Sequence, residues 1–250
     1  MTLPLILFHN QGRGRPIGGV STYIDDVKGI ESADMIGYWP MNETAGVVAV
    51  DYSVQGNDGA YTGVELANAA GPDGELCPYF DGTNDYNNMF TAGLATDFGV
   101  AGEWTIAIWM KVNTAAVWAD AATRIALILY GDATNFLKLW KGGGANAFNH
   151  TSELSDTEKQ VYKNSGADAT WIHTALTVSE AGDKVMAYWN GAQTGTTQTS
   201  IDSWDAGALT VAIAGATNLT PNNVWHGWLA HAVVWKKALT AAQILSLATV

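Results

Sequence analysis

The chain has 250 residues, 48% of them apolar and 14% charged, and its 12 Lys+Arg against 24 Asp+Glu leave a formal net charge of −12. A chain of this length and apolar content can bury a full core, which excludes a disordered protein, and an acidic balance without a basic tract excludes a phosphate-neutralising nucleic-acid surface. Cys77 is the only cysteine, so neither an internal disulfide nor a thiolate zinc set can form, and no apolar run approaches the ~18 residues of a membrane helix.

Taken in chain order, the first eight residues, M-T-L-P-L-I-L-F, have the apolar character of an export signal. They lack a cationic start, contain Pro4 and run into His9, Asn10 and Gln11 instead of a small-residue cleavage site. The expectation is a protein that does not leave a cell by the general secretory route. Residues 1–35 read as an N-terminal arm or an extra edge strand. The stretch from Gly12 to Gly19 carries Arg13 and Arg15, two of the three arginines, and the first 20 residues hold no acid. Such an arm on a body of opposite sign offers Arg13 and Arg15 as assembly contacts to a neighbouring subunit.

From Ile36 to Val250 the sequence reads as one domain. Gly, Asn and Asp recur at short intervals between runs of β-branched and aromatic residues, the spacing of an all-β sandwich. The clearest strand is Glu103 to Val112, with Trp104, Ile106, Ile108 and Met110 on one face and Thr105, Ala107, Trp109 and Lys111 on the other. Arg124 to Tyr130 and Phe136 to Trp140 predict a hairpin, and Trp171 to Val178 and Lys184 to Trp189 a second, ending at Asn190-Gly191. Gly227 to Trp235 forms a late strand, and Leu239 to Leu247 a short C-terminal helix capped by Thr240. Roughly ten strands and one helix predict two stacked antiparallel sheets.

Several segments together resemble a known family. Gly37-Tyr38-Trp39-Pro40-Met41-Asn42-Glu43, Tyr79-Phe80-Asp81-Gly82-Thr83-Asn84-Asp85-Tyr86, Trp104 to Lys111, Trp171 to Thr177, Val185 to Gly191 and Gly227 to Trp235 are similar, in order, to laminin G-like, concanavalin A-like jelly-roll domains. The resemblance implies a sandwich of 12 to 14 strands whose relatives include sugar-binding and adhesion modules, glycosidases and structural proteins of tailed bacteriophages. It looks most like the phage group. That implies a non-catalytic virion protein, a capsid decoration (cement) or tail-associated component, folded in the host cytoplasm and released by lysis. Its partners would be other virion proteins such as the major capsid protein, with a homo-oligomer expected. The alternative is a carbohydrate-binding or adhesion module that recognises surface glycans.

The residues themselves weigh on these readings. A glycosidase needs two carboxylates facing each other about 5 to 9 Å apart. The eight glutamates, Glu153 and Glu158 among them, fall in turns or at element ends without a same-face partner at i+2 or i+4, so no enzyme is expected. Relatives often hold calcium in rim loops. Here the oxygen-rich runs are Asp81, Asn84 and Asp85, with Asp132 and Asn135 on another turn, although turns select the same residue types for their backbone geometry. For sugar stacking, Trp118, Trp140, Trp204 and Trp225 lie near predicted turns, while Trp39, Trp104, Trp109, Trp171 and Trp189 suit the core. His173 and His231 alternate with apolar residues and read as hydrogen-bonded strand residues, and Cys77 as a small buried residue or a loop thiol.

Overall fold

A computed structural model describes residues 22–99, 101–144, 146–164 and 169–250. Among them the elements run α1 (Tyr23–Gly29), β1 (Met35–Trp39), β2 (Val48–Ala49), β3 (Gly59–Thr62), β4 (Glu65–Ala70), β5 (Leu76–Asp81), β6 (Tyr86–Asn88), α2 (Ala92–Gly99), β7 (Glu103–Val112) and α3 (Ala115–Ala119). They continue with β8 (Arg124–Asp132), β9 (Asn135–Lys141), β10 (Ala147–Leu154), β11 (Thr157–Asn164), β12 (Ile172–Ser179), β13 (Lys184–Trp189), β14 (Ala192–Gln198), β15 (Val211–Ala214), β16 (His226–Trp235) and α4 (Ala241–Leu247).

The strands form two antiparallel sheets. Sheet A has the order β14-β13-β12-β7-β16-β5-β4, with β1 also pairing β16, and sheet B the order β11-β10-β9-β8-β15-β6-β3-β2. The central strand β7 keeps the register Ile108↔Thr174 on one side and Met110↔Leu229 on the other. In β16 the register breaks between Ala230 and Val233. His231 there takes a φ of 52°, and this bulge lets one strand serve β5 with its first half and β1 with its second.

Strand alternation then sorts the side chains. The inner faces supply one continuous core that includes Trp39, Phe80, Trp104, Ile106, Ile108 and Met110 from sheet A, and Leu127, Leu129, Leu137, Leu139 and Phe148 from sheet B. The outer face of sheet A is also apolar, and it is covered. Trp109, Ala175, Tyr188 and Val233 pack beneath Tyr23 and Val27 of α1 and Ile244 and Leu247 of α4. The Trp109 indole N–H donates to the Tyr23 hydroxyl (2.8 Å), which in turn donates to the Leu247 carbonyl (2.6 Å), so both helices are pinned to the sheet. Helix α4 starts as the sequence suggests, with a capping box between Thr240 and Gln243.

Residues 23–29, expected within an arm or an edge strand, instead form a helix folded back on the domain. Thr22 caps its N-terminus, and Tyr23 and Val27 are four apart, on one helical face that the sheet buries. Arg13 and Arg15 lie outside the described residues. Among the described residues, sixteen strands and four short helices also exceed the ten strands and one helix expected. The surplus lies mostly in short edge strands and in the β10–β11 hairpin, whose two-residue Ser155-Asp156 turn places both residues at positive φ without the usual Asn-Gly signal.

Candidate functional site

Sheet B has an outer face as well, and no described helix contributes to it. Ile125, Ile128, Ile213, Ala216 and Val224 form an apolar cluster there, edged by the half-buried Tyr86, Tyr130, Trp140 and Val211. The pairing builds it directly: Ile125↔Trp140, Ile128↔Lys138 and Tyr130↔Phe136 across β8 and β9, and Val211↔Tyr130 and Ile213↔Ile128 across β15 and β8. Above this floor the 217–223 loop raises one wall, and the groove between has a volume of about 340 Å³, lined among others by Thr123, Tyr130, Phe136, Lys138, Asn218 and Asn223.

Strand β9 supplies the distinctive chemistry. Its even positions, Phe136, Lys138 and Trp140, face outward, while Leu137 and Leu139 enter the core. The Phe136 and Tyr130 rings are stacked with centroids 6.3 Å apart. The Lys138 ammonium sits 4.4 Å from the centre of the Trp140 ring and 5.0 Å from that of Phe136. The Trp140 indole N–H donates to the Thr151 hydroxyl at 2.9 Å, which fixes the ring plane. Burial pulls the Lys138 ammonium below its ordinary range, opposed by the carboxylates of Glu158 and Glu153. Those two glutamates are direct partners across the β10–β11 hairpin. Burial raises the Glu153 carboxyl, and the negative charges of Glu158 and Asp156 push the same way. Spacing within one strand misses this pair, because the two acids meet across strands. The groove thus combines flat apolar ring faces, one cation and side-chain amides and hydroxyls, a set suited to a ligand with a C–H face and many hydroxyls.

Of the four tryptophans expected to stack on a sugar, only Trp140 stands beside this groove. Trp118 and Trp225 are fully buried and meet edge to face at 6.2 Å. Trp204 is buried against Phe98 and Trp104, with its N–H on the Gly207 carbonyl. Turns flank all three in sequence, but each ring folds inward to close an end of the sandwich, where its area is worth most. Phe136, Tyr130 and Lys138 were not singled out from the sequence. The available signal was the strict alternation of Phe136, Lys138 and Trp140 against Leu137 and Leu139.

The oxygen-rich turns are occupied by their own backbones. Asp81 accepts from the Thr83 N–H (2.7 Å), and the buried Asp85 accepts from the Asp81 N–H (2.8 Å), with burial holding its carboxyl above the usual range. Asn84 is exposed beside them. Asp132 accepts from the Thr134 N–H and the Asn135 amide. Asn135, fully buried, donates to Asp205 (2.7 Å) and accepts from the Ser155 and Asp205 N–H groups, so it ties three loops together. Among the described residues no group of three or more His, Cys, Asp or Glu could hold a metal ion. Asp81, Asp85, Asp132 and Asn135 thus fix their own turns and loops. His231 bonds Asp73 (3.2 Å) and the Tyr38 hydroxyl (2.9 Å), whereas His173, expected to be similarly bonded, has no partner at Nδ1. Cys77 is buried in β5.

Fold and groove together define a lectin-type β-sandwich. The chain belongs to the Laminin_G_3 family, described as the concanavalin A-like lectin/glucanases superfamily, whose profile matches residues 81–245. Among solved structures it is similar to domain 4 of AbnA, an extracellular arabinanase of Geobacillus stearothermophilus solved in complex with arabinotriose. The TM-score is 0.63 at 16% identity, over 86% of this chain and 98% of that one. It is also similar to the binding domain of botulinum neurotoxin serotype D (TM-score 0.65, 12% identity, 87% of this chain) and to that of Paraclostridial Mosquitocidal Protein 1 (0.63, 12%, 87%). The chain spans about half the length of each toxin domain, 52% in both cases. At these identities the likeness shows the fold. No curated protein matches the sequence.

Proposed function

We propose that the protein is a non-catalytic carbohydrate-binding module whose ligand lies in the groove over β8, β9 and β15. One observation carries this reading: α1 and α4 cover the apolar outer face of sheet A, whereas among the described residues no helix packs on that of sheet B, where a groove runs beside half-buried Tyr130, Phe136 and Trp140 and polar groups. A half-open apolar floor rimmed by amides and hydroxyls is what a bound ligand completes. The rings stack on the C–H face of a sugar, and Asn218, Asn223 and Lys138 meet its hydroxyls. The arabinotriose held by the arabinanase domain supports the ligand class and makes arabino-oligosaccharides the first to try. Calorimetric titration with a panel of neutral oligosaccharides tests the reading. Saturable binding that Phe136→Ala abolishes is expected, and silence across the panel would refute it.

We further propose that this module works on a tailed-bacteriophage particle, as a capsid decoration or tail-associated protein. The resemblance of the segments from Gly37, Tyr79 and Gly227 supports this setting. So does the buried Cys77 thiol, pushed up to about 12 by burial, which keeps the chain inert to redox change between cytoplasm and medium. Co-sedimentation with purified particles, lost on deleting residues 1–20, is the expected result. Recovery only in the particle-free fraction would contradict it.

A further inference from the structure

Lys141 ends β9, one residue past Trp140, and strand alternation turns it inward until it has no exposed surface. A buried ammonium survives only where oxygens replace its water. Lys141 Nζ has four within reach: the carbonyls of Asp120 (2.8 Å), Ala122 (2.9 Å) and Gly142 (3.0 Å), and Asp120 Oδ1 (3.0 Å). An ammonium has three hydrogens. Four oxygens around it form the coordination shell of an ion as much as a set of hydrogen bonds. The distances exceed the roughly 2.3–2.6 Å of calcium–oxygen contacts, and the shell holds a single carboxylate, so its size and charge match a large monovalent cation such as potassium.

We propose that this cage is a monovalent-cation site whose resident ion is the ammonium of Lys141 itself. It joins segments that are distant along the chain. Asp120 Oδ2 accepts from Arg124 (2.7 Å), and Arg124 donates on to the Val224 carbonyl (3.0 Å) beside the 217–223 loop. The Gly144 N–H reaches the Asp120 carbonyl and the Asn146 N–H that of Trp118. Burial would raise the Asp120 carboxyl, but the hydrogen bonds from Arg124 and Lys141 outweigh it and hold it below the usual range. Thr123, between the caged carbonyl of Ala122 and Arg124, lines the groove. Lys141 is therefore also a positioning residue for that end of the groove. This second role rests on the glycan reading, and the cage does not.

The test is a set of thermal melts of Lys141→Ala at matched ionic strength in choline chloride, NaCl and KCl. Lys141→Met, whose side chain fills the cage without charge, is the control. Lys141→Ala should melt well below the wild type in choline chloride and recover saturably with KCl. A site with a Kd on the order of 5 mM gives a rise of about 4–7 °C at 0.1 M. The wild type and Lys141→Met should not respond to KCl, nor the wild type to CaCl₂ or EDTA. If Lys141→Ala folds in no salt, the same titration on Lys141→Ser, whose hydroxyl adds an oxygen ligand, decides. Equal melting in choline and potassium in whichever variant folds, or folding of neither, overturns the cage. Recovery of the melt without recovery of arabinotriose affinity overturns the positioning role alone.

Discussion

Mild acid should unfold this domain through two neutral histidines. His150 lies in the core with Nε2 2.7 Å from the Thr174 hydroxyl and its ring edge-on to Phe148, and His173 packs against Trp109 under the outer cover of sheet A. Both rings are buried, and Nδ1 of His173 lacks a partner. Burial lowers His150 to about 4, opposed by backbone hydrogen bonds at Val161 and Tyr188. It lowers His173 to about 3, with His231 pushing the same way. In the unfolded chain both titrate near 6.5. Between pH 6.5 and about 4 the unfolded state therefore binds more protons, and stability falls as pH falls. Integrated from pH 8 to pH 5, each histidine removes about 2 kcal/mol. Together they lower Tm by about 8–16 °C. Carboxylates held low, such as Asp73 and Asp120, lose their contribution only below this window, while the raised Glu153 and Asp85 give a small offset. Melts at pH 8, 6.5, 5.5 and 5 on the wild type and on His150→Gln/His173→Gln check this. The double variant should show a much flatter profile. An unchanged slope would refute the reasoning.

Trp118→Ala should cost about 3–5 kcal/mol in urea unfolding, because a fully buried indole leaves a cavity. A cost under about 1 kcal/mol would return that ring to the surface. Thr240→Ala removes the side-chain half of the capping box of α4, the Gln243 N–H to Thr240 hydroxyl bond, and should cost about 1 kcal/mol, read as a Tm lower by about 2–4 °C. Incubation with β-glucans, galactans, chitin derivatives and arabinans should release no reducing ends. Release that disappears in Glu153→Gln or Glu158→Gln would make the cross-strand pair a catalytic one.

The sandwich was legible where local and global signals agree. Glu103 to Val112 alternates between two buried faces and becomes the central strand β7 with the same bounds, and Thr240 with Gln243 marks the last helix. Helix α1 was not legible, since seven residues with two apolar contacts look like a linker until the sheet they cover is known. The tryptophans mark the harder limit. Sequence places Trp118, Trp140, Trp204 and Trp225 alike beside turns, and only the packing of the sandwich ends separates three buried rings from the one at the groove. Lys141 hid for the same reason, because three of its four oxygen ligands come from Asp120 and Ala122, 21 and 19 positions away.

The glycan groove is tested most directly by titrating arabinotriose and related neutral oligosaccharides into the wild type and into Trp140→Ala. Trp140 is half-buried on the outer face, so its loss should leave Tm within about 3 °C of the wild type. Affinity should fall at least about tenfold, the value of a stacking ring. Equal affinity in the two proteins, or binding lost only in variants of the buried Trp118 or Trp225, would contradict the assignment.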